Sequence, residues 1–239
     1  MEPLPCEEDK IPILVSRGSS ILIGRKVTIY TMNEVIEILK KVGAVLEYDH
    51  FVGTSGLHFD TYVNKDFLYP HTRETSEIGK LFAEKYKDKN IEVVVGPALG
   101  GIILSQWIAH HLSEMTDKEV LGIYTEKSAY GGQVFTRGYD KFVLGKRVLI
   151  VEDIVTTGGS SLKTFQAVKD AGGEVVSVCA MVNKNKEIDT EKLGVPFEFL
   201  SSLYIDTYEA SMCPLCKNNI PINIAVGHGK KFLESQKEK

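Results

Sequence analysis

The chain has few cysteines: four in 239 residues, Cys6, Cys179, Cys213 and Cys216. That is too few for a disulfide framework in a protein of this size. Long apolar runs are also missing. No stretch reaches the roughly 18–20 apolar residues that span a bilayer as a helix, so no membrane partner is expected. There is no surplus of positive charge either. The formal net charge is −4, which leaves no overall basic field to hold nucleic acid non-specifically. The opening residues, MEPLPCEEDK, carry acids where a secretory leader carries basic residues, so no cleaved leader is expected and a cytoplasmic chain is. What is present is ordinary globular material, 43% hydrophobic and 25% charged. It suffices for one substantial α/β domain, with or without a small appendage.

Residues 1–30 hold two β-rich runs around an Arg-Gly-Ser-Ser turn, an N-terminal arm or hairpin of unknown role. Residues 33–43 read as a helix capped by Asn33 and ended by Gly43. GTSGLHFDTYVNKD (53–66) suggests a turn and an exposed strand. Residues 71–90 are helical, with Ile78, Leu81, Phe82 and Ala83 inward. IEVVVG (91–96) is a buried strand, and PALGG launches a helix through Ile102, Trp107 and Leu112. EVLGIY (119–124) is a strand followed by a long polar segment, 125–145. A further strand, a helix closed by Gly172-Gly173 and the strand EVVSVCAMV (174–182) complete the pattern. Strand and helix alternate from about 45 to 205, which predicts a doubly wound, mostly parallel sheet with flanking helices.

Chemistry concentrates in VLIVEDIVTTGGSS (148–161). In an open parallel sheet, ligands bind beyond the carboxyl ends of strands at a topological switch point. Here such a strand ends in Glu152 and Asp153, adjacent carboxylates that repel each other and lose solvation. The vicinal hydroxyls of a ribose would donate hydrogen bonds to both. Just beyond, Thr156, Thr157, Gly158, Gly159 and Ser160 supply hydroxyls, close backbone approach and a helix N-terminus, the ingredients of a phosphate cradle. It is not a Walker loop, because G-x-x-x-x-G-K-[ST] occurs nowhere in the chain. A diol at one end and a phosphate at the other describe a 5-phosphorylated ribose.

This segment resembles the ribose-5-phosphate signature of type I phosphoribosyltransferases. The likeness extends along the chain. GAVLEYDHFVGTSGLHFDTYV (43–63) looks like the N-terminal segment of orotate phosphoribosyltransferases, with a Ser-Gly turn before a base-contacting strand. GPALGGIILS (96–105) resembles their pyrophosphate turn, and YTEKSAYGGQVFTRGY (124–139) sits where they carry a mobile lid. The segment 194–222, with its Cys-Pro-Leu-Cys, looks like the end of the Thermus-type branch. The resemblance covers roughly residues 33–222 and leaves the N-terminal arm and the lysine-rich tail outside it; the chain then divides into a core with hood elements over 31–205 and a C-terminal segment, 206–239, that carries a Cys-x-x-Cys knuckle and the charged tail. The resemblance implies magnesium-dependent transfer of ribose 5-phosphate from phosphoribosyl pyrophosphate (PRPP) to orotate, in a homodimer whose lid acts across the interface.

Site roles follow from the same resemblance. Glu152 and Asp153 would hold the ribose hydroxyls, with Asp153 nearer the anomeric carbon. Residues 156–160 would hold the 5-phosphate, and Ala98, Leu99, Gly100 and Gly101 would offer N–H groups to pyrophosphate. Lys127 and Arg137 would be the lid cations. His58 stands where many orotate enzymes have lysine. Asn183-Lys184 replaces the usual Asp-Arg, leaving Lys184 to meet the base's carboxylate without arginine's bidentate fork. A salvage enzyme for a purine or another pyrimidine, and a ligand-sensing regulator, are the alternatives.

Cys213 and Cys216 form one Cys-x-x-Cys knuckle, half of a zinc site. Cys6 and His228 are the nearby candidates for a second half by type, and neither has companion spacing. A reduced packing turn and redox chemistry are the other readings, the last lacking its βαβ context. Cys179 reads as a small apolar filler.

Overall fold

A computed structural model describes residues 34–53 and 55–237. The expected N-terminal arm, the Asn33 cap and Cys6 lie outside the described residues. In chain order come α1 (Glu34–Lys41), the short strands β1 (Val45–Leu46), β2 (Phe51–Val52), β3 (His58–Phe59) and β4 (Tyr62–Val63), then α2 (Thr72–Tyr86) and β5 (Val93–Pro97). There follow α3 (Gly100–Thr116), β6 (Leu121–Lys127), β7 (Gln133–Val134), β8 (Arg147–Val155), α4 (Gly159–Asp170) and β9 (Glu174–Asn183). The chain closes with α5 (Thr190–Leu193), β10 (Phe197–Ser202), α6 (Pro214–Lys217) and α7 (Gly229–Lys237).

The six-stranded sheet runs β10-β9-β8-β5-β6-β7. All its pairings are parallel except β6 with β7. The chain builds β5 and then β6 outward on one side. It next crosses back to lay β8, β9 and β10 on the other, so the winding reverses between β5 and β8. This is the doubly wound sheet expected from the alternating pattern, and its switch point lies where β5 and β8 end.

β8 shows how sequence becomes layers. Val148, Leu149, Ile150 and Val151 are all fully buried, as a strand covered on both faces must be. Side chains alternate across the sheet. Val148 and Ile150 join Val93, Val95, Val178 and Ala180 in one cluster with Val168 of α4. Leu149 and Val151 therefore face the other side, where α3 packs on β5, β6 and β8. Each such side chain contributes about 1.5–3 kcal/mol by leaving water.

The helices obey their end signals. α1 has Glu34 and Glu37 in its first turn and Lys40 and Lys41 in its last, matching the helix dipole. Gly43, at φ +72°, lets Ala44 N–H reach back to the Leu39 carbonyl and end the helix. The segment 53–66 differs from expectation. It folds into β3 and β4, and His58 and Phe59 are buried. The cover is the C-terminal segment, because His58 and Tyr208 exchange backbone hydrogen bonds of 2.8 and 2.9 Å.

Candidate active site

At the switch point lies a crevice of about 680 Å3. Three stretches build most of it: the β5–α3 turn (Pro97, Ala98, Leu99, Gly100), the end of β6 (Glu126, Lys127) and residues 152–161 from β8 into α4, with Lys65 and Asp66 at one side. Alternation along β8 explains the acid pair. Glu152 has the parity of Ile150 and meets α4, its Oε2 accepting a 3.4 Å hydrogen bond from Ser161. Asp153 has the parity of Val151 and meets the α3 side. Its Oδ2 accepts from Tyr69 Oη at 2.9 Å and pairs with Lys65 Nζ at 2.9 Å. Two adjacent acids thus reach one crevice from opposite faces of the sheet.

Both carboxyls are nearly buried, 8% exposed at Glu152 and 5% at Asp153. Burial, then the neighbouring Asp153 charge, pushes the Glu152 pKa up to about 8. Burial opposes the charge on Lys65, yet Asp153 and Asp66 together hold its pKa above the ordinary value. Burial, followed by Asp153, drives the Tyr69 pKa upward, so its hydroxyl stays a donor.

The turn after β5 is packed backbone to backbone. A Cβ on Gly96 would run into the Gly101 carbonyl, and one on Gly100 would strike Asp153 Oδ2 and Tyr69 Oη. Gly100 and Gly101 are the first residues of a 17-residue helix, so their N–H groups lack helical acceptors. Ala98 departs from expectation, because its N–H donates to the Thr125 carbonyl at 2.8 Å and is not available to a pyrophosphate. Leu99, 81% exposed, lines the crevice.

Thr156, Thr157, Gly158, Gly159 and Ser160 also line it. Gly158 caps α4 at φ +74°, where a Cβ would additionally meet Leu193. Asn185 Nδ2 donates to the Thr156 carbonyl at 3.0 Å and holds the loop. The expected lid forms a hairpin, with Lys127 paired to Gln133 and Glu126 to Val134. Lys127 faces the crevice. Arg137 does not line it; its guanidinium lies 3.5 Å from Glu126 Oε1.

A second pocket of about 480 Å3 shares Thr156 with the first. Leu57, Phe59, Lys184 and residues 204–207 are among its walls. Lys184 Nζ stands 5.9 Å from the Phe59 ring centroid, and burial lowers its pKa. His58 is not there. Its side chain points away from Phe59, as alternation in a strand demands, and is fully buried beside His50 and the two cysteines of the knuckle. His58 as a base contact is therefore corrected.

Residues 65–195 match the family model for a phosphoribosyl transferase domain. The chain belongs to the phosphoribosyltransferase family. It is 40% identical over 192 residues to an orotate phosphoribosyltransferase of Caldanaerobacter subterraneus, covering 79% of this chain and 94% of that one. With one of Thermotoga maritima it shares 36% over 197 residues, 82% and 98% of the two chains. The Mycobacterium tuberculosis orotate phosphoribosyltransferase solved with 5-phospho-α-D-ribosyl 1-diphosphate superposes with a TM-score of 0.54 at 27% identity, over 72% of this chain and 96% of that one. This phosphoribosyltransferase places its carboxylate doublet at the switch point. Sequence reasoning missed Lys65, Tyr69 and Phe59. Lys65 and Phe59 lay in a stretch already singled out, but nothing in local spacing ties residues 65 and 69 to a carboxylate 88 and 84 positions on. Among the described residues no helix is long and apolar enough to cross a membrane.

Proposed function

We propose that this protein is an orotate phosphoribosyltransferase, transferring ribose 5-phosphate from PRPP to a ring nitrogen of orotate and releasing pyrophosphate. The observation that carries the substrate assignment is the second pocket. It sets a cation, Lys184, near an aromatic face, Phe59, immediately beside the ribose-phosphate crevice. A flat ring with a carboxylate needs both. The names of the relatives support the same reading.

The chain's own groups bind, orient and shield. Residues 156–160 hold the 5-phosphate at the N-terminus of α4. Glu152 and Asp153 accept hydrogen bonds from the ribose hydroxyls and lie where positive charge develops at an oxocarbenium-like anomeric carbon. Gly100 and Gly101 offer N–H groups to pyrophosphate, and Lys127 neutralises it as it leaves. The hairpin over 126–134 of the neighbouring protomer would cover the crevice and keep water from the reactive carbon. The carboxyl oxygens of Glu152 and Asp153 are hard donors of the kind magnesium takes, and the ion would be held mainly by the oxygens of PRPP and by water. Magnesium, when bound, would spread the charge of the leaving group.

This reading includes a homodimer in which the hairpin reaches the neighbouring protomer's crevice; Tyr130 at its tip, 100% exposed, supports it. Sedimentation at active concentrations tests it. A cytoplasmic setting fits Cys179, Cys213 and Cys216, which are free of disulfides.

The decisive assay follows orotate absorbance with PRPP and magnesium, beside uracil, hypoxanthine and adenine. Turnover with orotate alone is expected. Turnover with another base makes it a salvage enzyme, and binding of PRPP without turnover of any base makes it a ligand-sensing regulator.

A further inference from the structure

The Cys-x-x-Cys knuckle has its second half after all, in a place the sequence does not advertise. Cys213 caps α6 and Cys216 lies one turn on. Against them stand His50, just before β2, and His58, opening β3, which the β2–β3 pairing brings side by side. His50 Nε2 is 2.8 Å from His58 Nδ1 and 3.8 Å from each sulfur, and His58 Nδ1 is 3.4 Å from Cys216 Sγ. All four donor atoms lie within 4.8 Å of one another. His50, His58 and Cys213 are fully buried and Cys216 partly so. His228 lies outside this cluster; its backbone N–H donates to the Val52 carbonyl.

We propose that His50, His58, Cys213 and Cys216 bind one zinc ion in a closed tetrahedral site that clamps the C-terminal segment to the β2–β3 pair. With Zn–N of about 2.0–2.1 Å and Zn–S of about 2.3 Å, the nitrogen–sulfur edge of a tetrahedron is about 3.6 Å. The observed 3.4–3.8 Å brackets it. The nitrogen–nitrogen edge would be about 3.3 Å, so the ion moves the two rings apart by about half an ångström. The tautomers suit a metal. His50 Nδ1 sits 2.7 Å from the Ile220 carbonyl; a carbonyl only accepts, so that nitrogen carries the proton and Nε2 presents its lone pair to the cluster. An outer carbonyl fixing a histidine in this way is the usual support of a ligating imidazole. His58 Nε2 is buried without a hydrogen-bond partner among the described residues. Coordination through Nδ1 puts the proton on Nε2, and the Phe232 ring meets the His58 ring edge-to-face with centroids 4.9 Å apart. An aromatic neighbour accommodates an N–H better than a bare lone pair.

The clamp has a second consequence, which rests on the function proposed above. Leu57 and Phe59 flank His58, and residues 204–207 lead into Tyr208, which is bridged to His58. These are opposing walls of the second pocket. Zinc would hold them at a fixed separation and so position the base.

The test uses the full chain, reduced, supplied with zinc and desalted. Elemental analysis should find about one zinc per chain. Cobalt substitution should give the visible bands of a tetrahedral site together with thiolate-to-cobalt charge transfer. Cys216→Ser and His50→Gln should each abolish both signals. His110→Ala with His111→Ala, which removes the exposed His110, His111 and Glu114 group, should leave them intact. Chelation should lower Tm and zinc restore it, with the KM for orotate raised several-fold while that for PRPP holds. Sub-stoichiometric zinc in the refed wild-type protein, or a cobalt spectrum without thiolate charge transfer, overturns the site whether or not a variant folds. Zinc content and cobalt spectra involve no substrate, so they stand or fall apart from the activity. Zinc bound with an unaltered orotate KM after its removal would reject the positioning role.

Discussion

Replacing Glu152 by glutamine should stabilise the ligand-free protein, and only at neutral to alkaline pH. The carboxyl has a pKa of about 8 in the folded chain against an ordinary 4.5. Between those values the native state keeps a proton that the unfolded chain has released. Stability is therefore fully present below about 4.5, falls as pH rises, and levels off above about 8. A rise of about 3.5 corresponds to about 5 kcal/mol at roughly 1.4 kcal/mol per pH unit. The crevice is open, and water reaching the ionised group reduces this to about 2 kcal/mol. Glutamine keeps the oxygen that accepts from Ser161 and never ionises. Its Tm should exceed wild type by about 4–8 °C at pH 8.5 and match it at pH 5. Thermal melts of both proteins at the two pH values decide the matter. A gain of equal size at pH 5 would show that the glutamate holds no excess proton and that the crevice is not the desolvating site described.

Gly100→Ala should cost about 1–3 kcal/mol through overpacking against Asp153 and Tyr69, with turnover depressed more than Tm; an active, stable alanine variant would contradict the tight turn. Lys184→Ala should lose about 1.5–3 kcal/mol of charged hydrogen bonding, read as a 10–100-fold fall in kcat/KM for orotate with the KM for PRPP unchanged. Lys184→Arg should restore part of it. Lys127→Ala should lower kcat about a hundredfold with Tm unmoved, and an unaltered kcat would place that lysine outside the reaction.

The sequence pattern went a long way where structure is local. The apolar runs Val93–Val95 and Val148–Val151, each followed by glycines that open a helix, specify parallel strands and the turns after them. Those turns are the site. It fell short where the deciding partner is far along the chain. His58 looked like a base contact because it follows a Ser-Gly turn, but a strand shows alternate residues to opposite sides, so Phe59 takes the pocket and His58 turns to His50. The partners of the knuckle sit more than 150 residues upstream on a two-strand pairing, a separation no metal-ligand spacing anticipates. Ala98 lost its assigned role because a neighbouring strand, not a ligand, takes its N–H. The Lys65–Asp153 pair has no sequence signature either, since it arises from the fold bringing the 65–69 turn over the end of β8.

That pair and the proton on Glu152 together define what the donor must displace, and this gives binding a measurable signature. In the free protein at pH 7, a group with a pKa of about 8 is about nine-tenths protonated. On the proposed function, the ribose hydroxyls and a magnesium ion carried by the donor would both favour the ionised carboxylate. Binding should therefore release close to one proton at pH 7. Donor affinity should climb with pH until about 8 and level beyond it, because the free protein then no longer holds the proton. Calorimetry of PRPP binding with magnesium, repeated in buffers of unlike ionisation enthalpy, reads the proton count directly, and the donor's own phosphate protonation is subtracted from a titration without protein. Glu152→Gln should remove the release and flatten the pH dependence. Release persisting in that variant would mean that the proton comes from elsewhere and that Glu152 does not meet the sugar.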